Sequence, residues 1–189
     1  MIVVQYLFWS LAVIACIGAL VAITFAIRTR RPQYALLAII PIGGGLLAAA
    51  FRLPLLPEPH VFGVALGLLI VAIGILGGSP LTTYVLDLAS REPVRRGAHG
   101  GILIRPDGSG EEREVLRGGT TIGYLERVAL IGGVAVGHPE VAAAVIAIKG
   151  LGRFSELDSA AARERFIIGT LASLIWAGAC AVLTMIAAG

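Results

Sequence analysis

Three charged residues interrupt apolar stretches in the second half of the chain, and they are the side chains best placed to do chemistry there. Glu126 and Arg127 lie in one apolar run, and Lys149 lies near the end of the next. An ionisable side chain inside a membrane span is costly and by default marks a functional site. A hairpin turning between Gly137 and His138 places Glu126 and Lys149 about 17 Å from the turn on their two helices. The sequence therefore predicts an intramembrane charge pair.

Arg127 is predicted to face away from this pair, toward Glu156, Glu164 or a lipid phosphate, because adjacent helical residues lie on different faces. The wider candidate site is a set of charged residues at the predicted cytoplasmic surface, which suits anionic lipid headgroups or a membrane partner: Arg127, Arg153, Glu156, Glu164 and Arg165. Two alternatives stay open. The pair holds helix register while Arg127 extends to the interface, or Glu126 is the coupling or selectivity residue of a small oligomeric transporter or channel.

Other reactive side chains are poorly placed for catalysis or metal binding. Asp87 is the best carboxylate for an enzyme that acts on lipid, but no second carboxylate or metal motif is spaced to assist it. The three histidines are scattered over loops without metal-binding spacing, and Cys16 and Cys180 each lie within an apolar run. We therefore predict no catalytic, metal or cofactor site.

The elements that must position these residues are membrane helices. The 189 residues are 57% hydrophobic and 14% charged, and their mean hydropathy is +0.90, values outside the usual range of soluble domains. We predict an all-α membrane protein, a six-helix transmembrane bundle with five spans as the alternative, formed by a single integral membrane domain over residues 1–189. The predicted spans are residues 2–27, 34–51, 61–78, 119–136, 139–154 and 166–188.

The most polar stretch, residues 91–118, is predicted to be a cytoplasmic loop between the third and fourth spans. Two short apolar stretches, at 102–104 and 114–116, flank the turn-forming residues 106–110 and predict a small β-hairpin. A second local signal precedes this loop, because Gly77-Gly78-Ser79-Pro80 predicts a break and restart of the third helix.

The positions of the basic residues predict an orientation. Of the 15 Lys and Arg residues, thirteen lie in loops on one side of the predicted bundle, Arg52 lies on the other, and Arg127 lies within the fourth span. Cytoplasmic loops are enriched in Lys and Arg, so both termini are predicted to be non-cytoplasmic. The basic balance thus reflects membrane topology, and we predict no nucleic-acid partner.

Three motifs, LRGGTTIGYLER, KGLGRFSEL and ERFIIGTLASLIWA, lie between Leu116 and Ala177. In them the chain resembles a family of uncharacterised bacterial, mainly actinobacterial, multi-pass membrane proteins with no established activity. The resemblance implies a bacterial plasma membrane and transfers no catalytic residue. We expect a non-enzymatic bundle that binds lipid or a partner, with anionic headgroups on the cytoplasmic side, a homo-oligomer or another membrane protein as the partners. The alternative is a small oligomeric transporter or channel subunit that uses Glu126.

Overall fold

The computed structural model describes residues 2–53, 60–89, 102–104, 113–115, 118–152 and 160–188. Within these ranges the chain is mainly helical, with six α helices and one 3-10 helix. The α helices are α1 (Ile2–Thr29), α2 (Ile39–Ala50), α3 (Val61–Ala89), α4 (Gly119–Ala135), α5 (Val141–Gly152) and α6 (Ala160–Ala188). The 3-10 helix, Pro32–Ala38, leads directly into α2.

Four segments of the described chain are long and apolar enough to cross a membrane: Ile2–Thr29, Pro32–Ala50, Val61–Ala89 and Ala162–Ala187. The remaining two helices are shorter. α4 has 17 residues and α5 has 12, so their lengths are about 26 and 18 Å at 1.5 Å per residue, against a hydrocarbon core of roughly 30 Å. The fold is thus that of a helical membrane protein, while the six-span count stays a prediction.

Glycines and a proline set several helix boundaries. Pro32 occupies the first turn of the 3-10 helix, where its missing N–H needs no partner. Gly118 and Gly137 bound α4 with φ angles of +72° and +86°, a left-handed conformation that costs glycine little. At Gly137 the chain reverses direction, because His138 N donates to the carbonyl of Gly133 at 2.8 Å. α4 and α5 therefore form a helical hairpin.

α3 differs from the expected break at Gly77–Pro80, because the helix continues through Pro80 to Ala89. A proline inside a helix removes one backbone hydrogen bond, and such a gap is tolerated in membrane helices when neighbouring groups occupy the exposed backbone. Gly77, Gly78 and Pro80 are all buried. The predicted break is instead the part of α3 that packs most closely against other helices.

α3 is the central helix and contacts α1, α4 and α6. It runs antiparallel to α6, since Gly67 faces Thr184 near one end of the contact and Gly169 faces Leu86 near the other. The fully buried side chains concentrate in these helices and include Ile23, Ile70, Ile73, Ile131 and Cys180. We call the end of the bundle at which α3 ends and α4 and α6 begin the Ala89 end, and the opposite end the Val61 end.

Two short strands, β1 (Ile102–Ile104) and β2 (Arg113–Val115), pair in antiparallel fashion with Ile102 opposite Val115. The predicted turn at 106–110 lies outside the described residues. The hairpin as a whole therefore stays a prediction.

Candidate functional site

Arg127 is buried in the middle of the bundle, with 3% of its surface exposed. Its Nε donates a hydrogen bond to the carbonyl oxygen of Ile75 at 2.8 Å, and its Nη1 donates to Ser173 Oγ at 3.2 Å. Ile75 lies fourteen residues from either end of α3, and Ser173 lies near the middle of α6. The guanidinium therefore lies midway along the two longest helices that it touches.

Pro80 leaves one carbonyl of α3 without its usual helical donor, next to the carbonyl that Arg127 contacts. In a regular helix the carbonyl of Leu76 accepts from the N–H of residue 80, which proline lacks. The ladder of α3 is therefore interrupted at this point. The neighbouring carbonyl, that of Ile75, accepts from Arg127 across the helix interface.

Two glycines make room for the arginine side chain. A Cβ at Gly78 of α3 would lie 2.5 Å from Arg127 Cδ and 2.6 Å from Nε, and a Cβ at Gly123 of α4 would lie 3.1 Å from Nη1. On the remaining side the guanidinium carbon lies 5.0 Å from the centre of the Tyr124 ring, within the range of a cation–π contact. The long side chain of Arg127 is thus enclosed by α3, α4 and α6.

Several polar atoms around Arg127 are buried without a hydrogen-bond partner among the described residues. They are Arg127 Nη2, Thr82 Oγ1, Thr170 Oγ1 and Trp176 Nε1. Thr170 and Trp176 flank Ser173 by three residues on either side along α6, and Thr82 Cγ2 contacts the position of a Cβ at Gly169. Buried polar groups are normally paired, so these unpaired atoms are the candidate groups for contact with a ligand or water.

Glu126 and Lys149 are brought together by the α4–α5 hairpin. Lys149 Nζ donates to Glu126 Oε2 at 2.5 Å, and only 17% and 11% of the two side chains are exposed. Glu126 Oε1 is buried without a partner among the described residues. The two charges offset one another on the side of α4 that carries α5.

Arg127 is buried and does not extend to the interface, and the expected contacts with Glu156 and a lipid phosphate lie outside the described residues. No carboxylate of the described chain pairs with it, and its hydrogen bonds go to Ile75 and Ser173. The reason is packing: Gly78 and Gly123 leave space for the side chain inside the bundle, where a carbonyl and a hydroxyl receive its donors.

Of the rest of the predicted surface cluster, the structure describes Glu164 and Arg165. Arg153 and Glu156 lie outside the described residues. Glu164 is exposed and Arg165 is half-buried in the first turns of α6, about 12 Å along that helix from Ser173. These two residues lie at the Ala89 end, away from the guanidinium.

Most of the other candidate groups also lie in the described part of the chain. Among those residues no three His, Cys, Asp or Glu side chains lie together as a possible metal site. Cys16 and Cys180 are buried thiols, and Asp87 is half-buried in the last turns of α3. His138 pairs with Glu140 at 2.8 Å in the exposed turn between α4 and α5.

Sequence reasoning missed the contacts of Arg127 with Ile75, Gly78 and Ser173. Two signals for them are present in the sequence. Gly77-Gly78-Ser79-Pro80 marks a stretch of helix with exposed backbone and little side-chain bulk, and Thr170 and Ser173 are hydroxyl residues one turn apart within an apolar run. Neither signal identifies which charged residue they meet.

No family model, curated protein or solved structure matches this chain.

Proposed function

We propose that residues 1–189 form one multi-pass integral domain of a bacterial plasma membrane, a six-helix bundle in which α4 and α5 are the two shorter segments. The four long apolar helices support membrane insertion. The concentration of Lys and Arg at the Ala89 end supports a cytoplasmic location for that end, with both termini and the 137–140 turn on the opposite side. The orientation of the other helices does not depend on whether the α4–α5 hairpin crosses the membrane, because the hairpin adds either two spans or none.

Cysteine labelling tests this orientation. With a membrane-impermeant maleimide on intact cells, we expect a cysteine replacing exposed His138 to react and one replacing exposed Ala89 to react only after permeabilisation. Native Cys16 and Cys180 are buried, so the unmodified chain is the control. The reverse pattern would contradict the orientation, and labelling of both positions from one side would show that the hairpin does not cross.

The proposed function is non-enzymatic binding of an anionic group, such as a lipid headgroup, with Arg127 as the main cationic contact. One observation carries this proposal: Arg127 is buried with an unpaired Nη2, and no described carboxylate pairs with it. A buried charge without a counter-charge is strongly unfavourable. An anion that binds there supplies the missing charge, and Arg165 lies at the Ala89 end from which an anionic lipid would approach.

Lipid retention by the purified protein tests this function. In native mass spectrometry with equal amounts of phosphatidylglycerol and phosphatidylcholine, we expect the unmodified chain to keep phosphatidylglycerol and Arg127→Gln to lose most of it. Arg52→Gln is the matched control, since it removes one positive charge from an exposed site at the other end of the bundle. Equal retention by Arg127→Gln would contradict the role of Arg127, and a loss confined to Arg165→Gln would move lipid binding to the surface of α6.

The alternative, a small oligomeric transporter or channel subunit using Glu126, has one observation in its favour. Glu126 Oε1 is buried without a partner among the described residues, so the carboxylate keeps one oxygen that can accept a further hydrogen bond. This alternative predicts solute flux in proteoliposomes that Glu126→Gln abolishes. The binding proposal expects no flux from the unmodified chain.

A further inference from the structure

We infer that the unpaired donors of Arg127 and its neighbours, where α3, α4 and α6 meet, bind one singly charged anion. This inference rests on the proposed function, because it names the class of ligand that the same arginine takes. Its first support is the chemistry of the unpaired groups. A guanidinium nitrogen and an indole N–H only donate hydrogen bonds, and a threonine hydroxyl can donate one. Arg127 Nη2, Thr82, Thr170 and Trp176 supply these groups. The one unpaired carboxylate oxygen found with them among the described residues belongs to Glu126, which is paired with Lys149.

The charge of the ligand follows from the charges around it. Glu126 and Lys149 neutralise each other at 2.5 Å, so helices α4 and α5 keep one excess positive charge, on Arg127. One negative charge balances it, whereas a doubly charged anion would leave a net charge in a medium of low dielectric constant. Halides, nitrate, dihydrogen phosphate and the phosphodiester of a lipid headgroup all meet this condition.

The unpaired hydroxyls lie on the Ala89 side of Arg127. Thr170 precedes Ser173 in α6, and Thr82 follows Ile75 in α3, so both hydroxyls lie on that side of the guanidinium.

On the Val61 side the helices close. A Cβ at Gly74 would lie 2.7 Å from Ile131 Cδ1 and 2.9 Å from Cys180 Cβ. Such close packing leaves no space for a solute between these three residues, so the geometry fits a one-sided binding site that is reached from the proposed cytoplasmic face.

Iodide is a suitable probe, because it is a singly charged anion that quenches indole fluorescence at short range. Trp176 reports on the site: its ring packs at Gly77, the neighbour of the Gly78 that contacts Arg127. The chain has two tryptophans, and Trp9→Phe removes the other, which lies at the Val61 end against Phe62. In Trp9→Phe protein at constant ionic strength, we expect quenching that saturates as iodide is added.

Three variants in the Trp9→Phe background separate binding from collision. We expect Arg127→Gln to abolish the saturable phase, with quenching by neutral acrylamide unchanged. Thr170→Val removes one unpaired hydroxyl without changing side-chain shape, and should raise the half-saturating iodide concentration about tenfold, the value of a hydrogen bond to a charged group. Thr184→Val is the control, since its hydroxyl is bonded to Cys180 O within α6. The Thr170 variant keeps the test valid if Arg127→Gln does not fold.

Quenching that stays linear in iodide, or is equal in the Thr170→Val and Thr184→Val proteins, would overturn the anion site even if Arg127→Gln loses lipid. Saturable quenching, together with equal lipid retention by Arg127→Gln and the unmodified chain, would support the anion site and overturn the lipid function. The source of the anion follows from competition. If a lipid phosphodiester is the ligand, iodide binding is weaker in nanodiscs of phosphatidylglycerol than in nanodiscs of phosphatidylcholine. If the ligand is a free anion, nitrate or dihydrogen phosphate weakens iodide binding and the lipid composition does not.

Discussion

Glu126 and Arg127 are consecutive residues of α4, yet their charged groups have different kinds of partner. Glu126 meets a residue of opposite charge on the adjoining helix, Lys149, and the pair lies on the side of α4 where α5 packs. Arg127, on a face rotated by about 100°, enters the contact with α3 and α6 and meets a carbonyl, a hydroxyl and an aromatic ring instead of a carboxylate. Glu126 has an oppositely charged partner, whereas Arg127 has no ion pair among the described residues, which is why we propose binding at Arg127.

The largest expected effect comes from disrupting the ion pair between Glu126 and Lys149. Lys149→Glu places two carboxylates together, and Glu126→Lys places two ammonium groups together, where the side chains are more than four-fifths buried. Leaving a buried charge unpaired costs about 3–5 kcal/mol, so each single variant should lose most of its folded yield in fluorescence-detected size-exclusion chromatography. The double variant restores opposite charges and should recover the yield.

If the double variant stays as poor as the single ones, the two side chains do not stabilise the fold as a pair. Arg52→Glu, a charge reversal at an exposed site, provides the control for a general effect of altered charge on membrane insertion. It should leave the folded yield close to that of the unmodified chain.

The pair could be predicted from sequence because its geometry is local. Glu126 and Lys149 are 23 residues apart in the chain, on two helices joined by a short turn, and their similar distances from that turn bring them to the same depth. The contacts of Arg127 span 52 residues to Ile75 and 46 residues to Ser173. They depend on which helices pack together and in which register, and the hydropathy of a single sequence carries no information on either.

The helices themselves were predictable for the same reason, because an apolar run of sufficient length is a local property. Pro80 shows where local reasoning fails. Taken alone, Gly77-Gly78-Ser79-Pro80 predicts that the helix ends, because proline cannot donate the next hydrogen bond. The helix continues because neighbouring elements contact this stretch, Arg127 above all.

A smaller effect is expected where Arg127 passes α3. In Gly78→Ala the new methyl group collides with Arg127 Cδ, which cannot move aside easily because the guanidinium beyond it is held by two hydrogen bonds. Overpacking of this kind costs about 1–3 kcal/mol, so the detergent-solubilised protein should melt at a lower temperature. Gly132→Ala in α4 is the matched control, since nothing lies within 4 Å of its added Cβ. Equal melting temperatures for the two variants would show that the enclosure of Arg127 by α3 is loose.

The smallest effect is expected at a third charged contact, between His138 and Glu140 in the exposed turn. Their separation of 2.8 Å resembles that of the buried pair, but 65% and 70% of the two side chains are exposed, so water screens the interaction. The backbone N–H of Glu140, and then His138, hold the pKa of the Glu140 carboxyl below its ordinary value of 4.5. Because the lowered pKa belongs to the folded state, this contribution is present above pH 4.5 and is lost as the pH falls through the lowered pKa.

His138→Ala should therefore melt at the same temperature as the unmodified chain at pH 7 to within measurement error, since a surface pair contributes little. Lowering the pH through the acidic range should reduce the two melting temperatures almost in parallel, because the larger cause of the Glu140 shift, the backbone N–H, is intact in the variant. A clear loss of stability at neutral pH would mean that the turn is buried in the membrane rather than in water, which would contradict a hairpin that crosses to the non-cytoplasmic side.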